Sequence, residues 1–238
     1  MRLFYLLFLL FSTRNHTQIL ERYPTDQLPY TGGEVAFYQD FYQLLKKQNI
    51  KPCENKQELY ELKLVVYEDA SVKLVKEQNA EKLANNKCTY EIIKKVLPEM
   101  TGWNPAIYQD KKMPAVADYL IYLDDLFENF PAAYAASHYI KQPEFPGGLQ
   151  KFRNKFTGAI RIPKLDHTDG EFTLRIAFEV NDKGKMQNVR LLEKTGYDRF
   201  DESIIKGIQY MKYQWQPASF HGIPIKTTLT VPIHFTFH

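Results

Sequence analysis

The chain has 238 residues, 44% apolar and 14% aromatic, enough for two domains of about 100 residues each and incompatible with overall disorder. Its formal net charge is only +3, with acidic and basic residues interleaved, so it lacks the concentrated basic face that a phosphate backbone requires. Composition thus argues against nucleic acid as a partner.

The N-terminus places Met1-Arg2 before an unbroken apolar run from Leu3 to Phe11, followed by Ser12-Thr13-Arg14. One basic residue, a short greasy stretch and a polar exit form the layout of a secretory signal peptide. The run is far shorter than the roughly 20 residues a bilayer-spanning helix needs, so no transmembrane span is expected. A buried element of the first domain is the competing reading, but no polar alternation or cap accompanies the run. No Ala-x-Ala pattern follows the run before residue 18. Cleavage is expected near Thr17, which leaves residues 1–17 as a leader.

A first domain is expected over residues 18–130. Gly32-Gly33 precede Phe37, Phe41 and Leu44, which line a helix, and residues 62–67 and 72–76 read as a hairpin. Ile92, Ile93 and Val96 mark a second helix that Pro98 should shorten or kink. Trp103-Asn104-Pro105-Ala106 follows, and residues 116–126 read as the last strand. Cys53 and Cys88 both fall in this domain. In an exported protein an even count favours a disulfide, which would contribute roughly 3–4 kcal/mol, against the alternative of two free thiols. Their spacing is not that of a redox or zinc motif. Residues 131–142 read as a linker.

A second domain is expected over residues 143–238. Pro146-Gly147-Gly148 leads into Leu149, Phe152 and Phe156, the spacing of a short amphipathic helix. Phe172, Leu174, Ile176, Phe178 and Val180 then alternate with polar residues, the period of a strand with one apolar face. Asp182-Lys183-Gly184 supplies a reversal, so residues 186–193 should return antiparallel. Asp198 is the expected N-cap of a helix on which Ile204, Ile208, Met211 and Trp215 share a stripe, ending by Pro217. The last segment alternates again. Leu229, Val231, Ile233 and Phe235 face one way and Thr228, Thr230, Pro232 and His234 the other. Pro232 cannot donate a ladder hydrogen bond, which places this strand on a sheet edge or turns its donor side outward.

The two domains share phrases. A constant offset lays Trp103-Asn104-Pro105-Ala106 on Trp215-Gln216-Pro217-Ala218 and Ile92-Ile93-Lys94 on Ile204-Ile205-Lys206, and nearby offsets lay Gly32-Gly33, Phe37 and Phe41 on Gly147-Gly148, Phe152 and Phe156. One supersecondary unit is therefore written twice. The expected fold class is α+β, with two tandem α-β-β-α-β modules, each a three-stranded antiparallel sheet with helices on one face.

The second copy resembles the TonB C-terminal domain family. The resemblance rests on Pro146-Gly147-Gly148, on Asp182-Lys183-Gly184-Lys185 followed by Val189 and Thr195-Gly196, on Trp215-Gln216-Pro217 with Gly222-Ile223-Pro224-Ile225, and on Pro232-Ile233-His234-Phe235. The first copy looks like a diverged relative. The resemblance implies a periplasmic module that engages outer-membrane receptors by accepting a short segment as an added strand. The edge it points to is the last strand, with Thr228, Thr230, Val231, Ile233, His234 and Phe235 as the expected contacts. Neither an anchor helix nor a long proline-rich spacer is found, so the expectation is an exported binding protein rather than a complete energy transducer. A dimerisation scaffold, pairing this strand with its symmetry mate in a homodimer, is the alternative.

Catalysis, metal binding and cofactors are not expected. Asp166, His167, Asp169 and Glu171 are the densest polar cluster, and a solvated loop explains them better than a metal site. Asp124-Asp125 with Glu128 read as solubilising, and His221 and His234 as surface histidines. No Gly-x-Ser-x-Gly, His-Glu-x-x-His or phosphate-cradling loop occurs. The two tryptophans read as core anchors at the ends of the second helices rather than as ligand-stacking residues.

Overall fold

The computed structural model describes residues 18–127, 130–160, 170–211 and 213–237, and it divides into two compact units, Met1–Ala136 and Ser137–His238. The expected leader and its cleavage point lie outside the described residues. No helix among the described residues is long and apolar enough to cross a membrane.

In the first unit, α1 (Gly33–Lys47) begins after Gly32, which at φ +81° takes a left-handed conformation that only glycine adopts at no cost. The helix buries Phe37, Tyr38, Phe41 and Leu45. A hairpin of β1 (Leu59–Val66) and β2 (Val72–Leu74) follows, then two helices, α2 (Ala80–Asn85) and α3 (Lys87–Val96). A small hairpin of β3 (Ala106–Tyr108) and β4 (Lys111–Met113) leads to β5 (Ala115–Tyr122) and the short helix α4 (Leu123–Phe127). The sheet is antiparallel with strand order β2-β1-β5. Its core is aromatic: Phe37 stacks on Tyr119 at 3.7 Å, and Trp103 meets Tyr30 edge-on at 5.0 Å.

The second unit opens with β6 (Ile140–Lys141) and α5 (Gly148–Ala159), the latter again entered through a left-handed glycine, Gly147 at φ +87°. The main hairpin is β7 (Gly170–Val180) and β8 (Met186–Leu191), followed by α6 (Asp198–Gln209), the small hairpin β9 (Ala218–Phe220) and β10 (Ile223–Ile225), and β11 (Thr227–Phe237). The main sheet runs β11-β7-β8, all antiparallel. Phe152, Phe156, Leu174, Ile176, Phe178, Ile204, Ile208, Trp215, Val231 and Ile233 form one core, in which each fully buried aliphatic or phenyl side chain stabilises by roughly 1.5–3 kcal/mol. The architecture is mixed α+β with small antiparallel sheets; both units run helix, hairpin, helix, small hairpin and last strand, the last strand pairing with the first strand of the main hairpin, while α2 and α4 occur in the first unit alone and β6 in the second.

Several details depart from the sequence reading. The last strand of the first unit stops at Tyr122, and residues 123–127 are helical, with Asp124 and Asp125 in the first turn where the helix dipole favours them. α6 ends early, at Gln209, while α3 ends at Val96, shortened as Pro98 requires, with Pro98 in the 3-10 turn that follows. Trp103 and Trp215 therefore lie on extended chain beyond the helices, both still buried. The cause is a competing pairing: Trp215 donates its amide hydrogen to the Gly184 carbonyl at 2.9 Å, and Trp103 bridges to Tyr30. Asp198 is the first residue of α6 rather than its cap. Asp201 reaches back instead, accepting the Thr195 hydroxyl at 2.6 Å and its amide at 3.2 Å. Residues 131–142 are shared out between the units: Tyr134 packs on Tyr38, while Tyr139 packs on Phe220 and β6 pairs with β9.

Candidate functional site

The outer edge of β11 is the site toward which the sequence pointed, and its backbone directions follow from the ladder. Leu192 donates to the Arg175 carbonyl at 2.9 Å, so the backbone groups of Arg175 point toward β8. Pro232 stands opposite Arg175 in the β7–β11 register. In an antiparallel pair the residues alternate between bonded and non-bonded pairs, so Pro232 is at a non-bonded position and its backbone faces away from the sheet. The same alternation turns the backbones of Thr228, Thr230 and His234 outward. At Pro232 this row lacks a donor, leaving only a carbonyl.

Side chains divide along the same strand. Thr228, Thr230 and His234 are exposed on the open face of the sheet, whereas Val231, Ile233 and Phe235 are 2%, 1% and 4% exposed and belong to the core. The latter three hold β11 in place with backbones bonded to β7; the first three present both side chain and amide. His234 Nδ1 shares a 2.7 Å hydrogen bond with Thr173 Oγ1 across the ladder, and Arg175 pairs with Glu193 further along that face. Among the described residues no strand pairs with the outer side of β11.

The equivalent edge in the first unit is covered at two points. Leu20 lies against β5 as a parallel bridge, donating to Pro114 at 2.8 Å and accepting from Val116 at 2.9 Å. Further along, the Tyr38 hydroxyl donates to the Leu120 carbonyl at 2.6 Å. The segment before α1 is tied down beyond these contacts, by Tyr23 to the Asn104 carbonyl at 2.7 Å and by Gln27 to both backbone groups of Ile107. Neither Leu20 nor Tyr38 was singled out from sequence, since one bridge and one hydroxyl leave no periodic trace.

The other sites considered from sequence hold structural roles. Cys53 and Cys88 are joined in a disulfide. Glu58 lies beside them, the three residues forming the described group with metal-ligand geometry, but the sulfurs are bonded to one another. The Glu58 carboxylate accepts the Thr89 amide at 2.7 Å and so caps the first turn of α3. Asp124 pairs with Lys56 at 3.3 Å and Asp125 accepts the Tyr134 hydroxyl at 2.8 Å. Asp166, His167 and Asp169 lie outside the described residues, as does the side chain of Glu171. His221 sits in the β9–β10 turn at φ +47° with its ring against Tyr139.

No curated protein matches the chain. Residues 168–237, which take in β8, α6 and β11, match the family model described as the Gram-negative bacterial TonB protein C-terminal.

Proposed function

We propose that this chain is an exported, non-enzymatic protein-binding module of the cell envelope whose partner adds an extended segment as a strand to the outer edge of β11. The carrying observation is that edge: it lies beside the longest ladder of the second unit, with the outward backbones of Thr228, Thr230 and His234 and no pairing strand among the described residues. Backbone hydrogen bonds along it give affinity, and side chains that alternate on the added strand give selectivity. The family match supports a periplasmic location and partners such as outer-membrane receptors. The signal-peptide layout of residues 1–17 supports export.

A photo-reactive residue placed at Thr230 in the chain expressed in a bacterial envelope tests this. Adducts with an envelope protein are expected from Thr230 and not from Asn188, on the opposite side of the sheet. Equal labelling from both positions, or none from Thr230, overturns strand addition at β11. An adduct joining two copies of the chain through Thr230 would favour the dimerisation scaffold instead.

A further inference from the structure

The two units differ at one position that bears on what β11 accepts. On α1 the residue after Phe37 is Tyr38, whose hydroxyl donates to the outward carbonyl of Leu120. On α5 the residue after Phe152 is Arg153. The correspondence is fixed by packing: Phe37 and Phe152 are both fully buried and both contact the unit's tryptophan, at 5.9 Å and 5.2 Å. The ladders fix the strand correspondence in the same way. Val66 pairs with Ala115 and Val180 with Thr227 at the hairpin ends, which makes Pro232 the counterpart of Leu120. By this correspondence Arg153 is the α5 counterpart of the residue whose side chain reaches the strand edge in the first unit, and Pro232, the counterpart of the residue reached there, has no N–H to offer.

Arg153 is half-buried, and its Nε is buried with no hydrogen-bond partner among the described residues. Its helix carries Lys151 and Lys155 and no acidic residue, and no described carboxylate pairs with any of the three. A guanidinium in this position has five N–H donors in a fixed fork suited to a carboxylate or a carbonyl.

We infer that Arg153 is a specificity-determining residue of the β11 edge: it supplies the donor that Pro232 lacks and selects an extended segment carrying an Asp or Glu on its helix-facing side. The inference rests on strand addition at β11. Directly opposite residues in a ladder point to the same face, so the partner residue facing Pro232 points to the open face, and the residues facing Val231 or Ile233 point toward α5. A carboxylate at either of these meets the guanidinium, while the partner carbonyl that finds no donor at Pro232 takes a second N–H. A charge-assisted bond of this kind is about twice as strong as a neutral one.

Two labelled ten-residue peptides of alternating Thr and Val, identical except for a central Glu or Gln, are the probes, and fluorescence anisotropy is the readout. The Glu peptide is expected to bind about tenfold more tightly at low salt, with the preference shrinking as salt rises. Arg153→Gln should abolish the preference, weakening the Glu peptide by the full tenfold and more and the Gln peptide only by the loss of the N–H given to the partner carbonyl, its thermal melt serving as the folding control. Thr230→Pro, which deletes an outward N–H at a position with the same backbone direction as Pro232, should weaken both peptides alike. Equal affinity of the two peptides for the unaltered protein, with Thr230→Pro still weakening both, overturns the role of Arg153 and leaves the edge standing. Absence of binding by both peptides, or binding indifferent to Thr230→Pro, overturns the edge and this inference together.

Discussion

Trp215 donates its amide hydrogen to the Gly184 carbonyl at 2.9 Å, and its own carbonyl oxygen occupies the place a β-carbon on Gly184 would need. The turn of the main hairpin and the tryptophan phrase, far apart in sequence, are thus one structural feature. Gly184 also sits at φ +74°, and the Trp215 ring packs on Phe145, Phe152 and Phe178, so the backbone contact positions the centre of the core.

Gly184→Ala should therefore destabilise the second unit by more than about 2 kcal/mol, because it adds left-handed strain of roughly 1–2 kcal/mol to displacement of the Trp215 backbone. Gly196 offers the comparison. It is also left-handed, at φ +87°, but an added β-carbon there meets nothing within 4 Å, so Gly196→Ala should cost about the strain alone. Denaturant unfolding followed by tryptophan fluorescence of the second unit measures both; equal losses would show that the close approach at Trp215 carries no penalty.

The first unit should unfold in alkali before the second. Burial, reinforced by Glu34, holds the Tyr38 phenol well above its usual range, and burial also raises Tyr30, where Asp40 adds to it, and Tyr119. Tyr60 is pushed up to about 12 by burial. A phenol whose folded pKa exceeds its unfolded value contributes stability that is complete below pH 10.0 and is lost as pH rises through the folded value, because the unfolded chain releases its protons first. A pH titration should show these phenolates appearing late and together with loss of secondary structure. Tyr38→Phe should remove part of that dependence and free the Leu120 carbonyl; phenolates that form before any unfolding would contradict this.

Much of this was legible in the sequence where a period carries the signal. The alternation from Leu174 to Val180 and from Leu229 to Phe235 gave the strands and their buried faces, and Pro232 marked the edge strand. The stripe through Ile204 and Ile208 gave α6, but extending it to Met211 and Trp215 overran the helix, since a long-range bond to Gly184 redirects the chain and leaves the apolar spacing intact. Leu123 to Leu126 read as strand because apolar residues at this density fit either period over so short a run. Arg153 was invisible for a different reason: its meaning comes from comparison with Tyr38 and from the ladder direction at Pro232, both tertiary facts.

The Cys53–Cys88 bond closes a loop with a sequence separation of 35 and ties the segment before β1 to the first turn of α3. Chain entropy puts its contribution at about 4 kcal/mol. Reduction, or Cys88→Ser paired with Cys53→Ser, should lower the denaturant midpoint of the first unit by a corresponding amount. The second unit should be unaffected, since neither its core nor its ladder includes either residue. Coincident loss in both units would mean that they unfold as one.

The difference between the two strand edges should be readable one amide at a time. Val116 and Thr228 are counterparts on β5 and β11, both turned away from their own sheets, but the Val116 amide donates to the Leu20 carbonyl at 2.9 Å while no described residue receives that of Thr228. Hydrogen exchange is therefore expected to be slow at Val116 and fast at Thr228, although Leu229, one residue on and bonded to β7, should be protected. Deleting residues 18–22 should speed exchange at Val116 to the level of Thr228, and because Tyr38 still occupies Leu120, it should leave β5 open at its start and blocked further along. A chain altered in this way should gain little affinity for an added strand unless Tyr38→Phe is combined with the deletion. Protection at Thr228 in the unaltered protein would mean that the β11 edge is already filled in solution, and concentration dependence of that protection would show whether a second copy fills it.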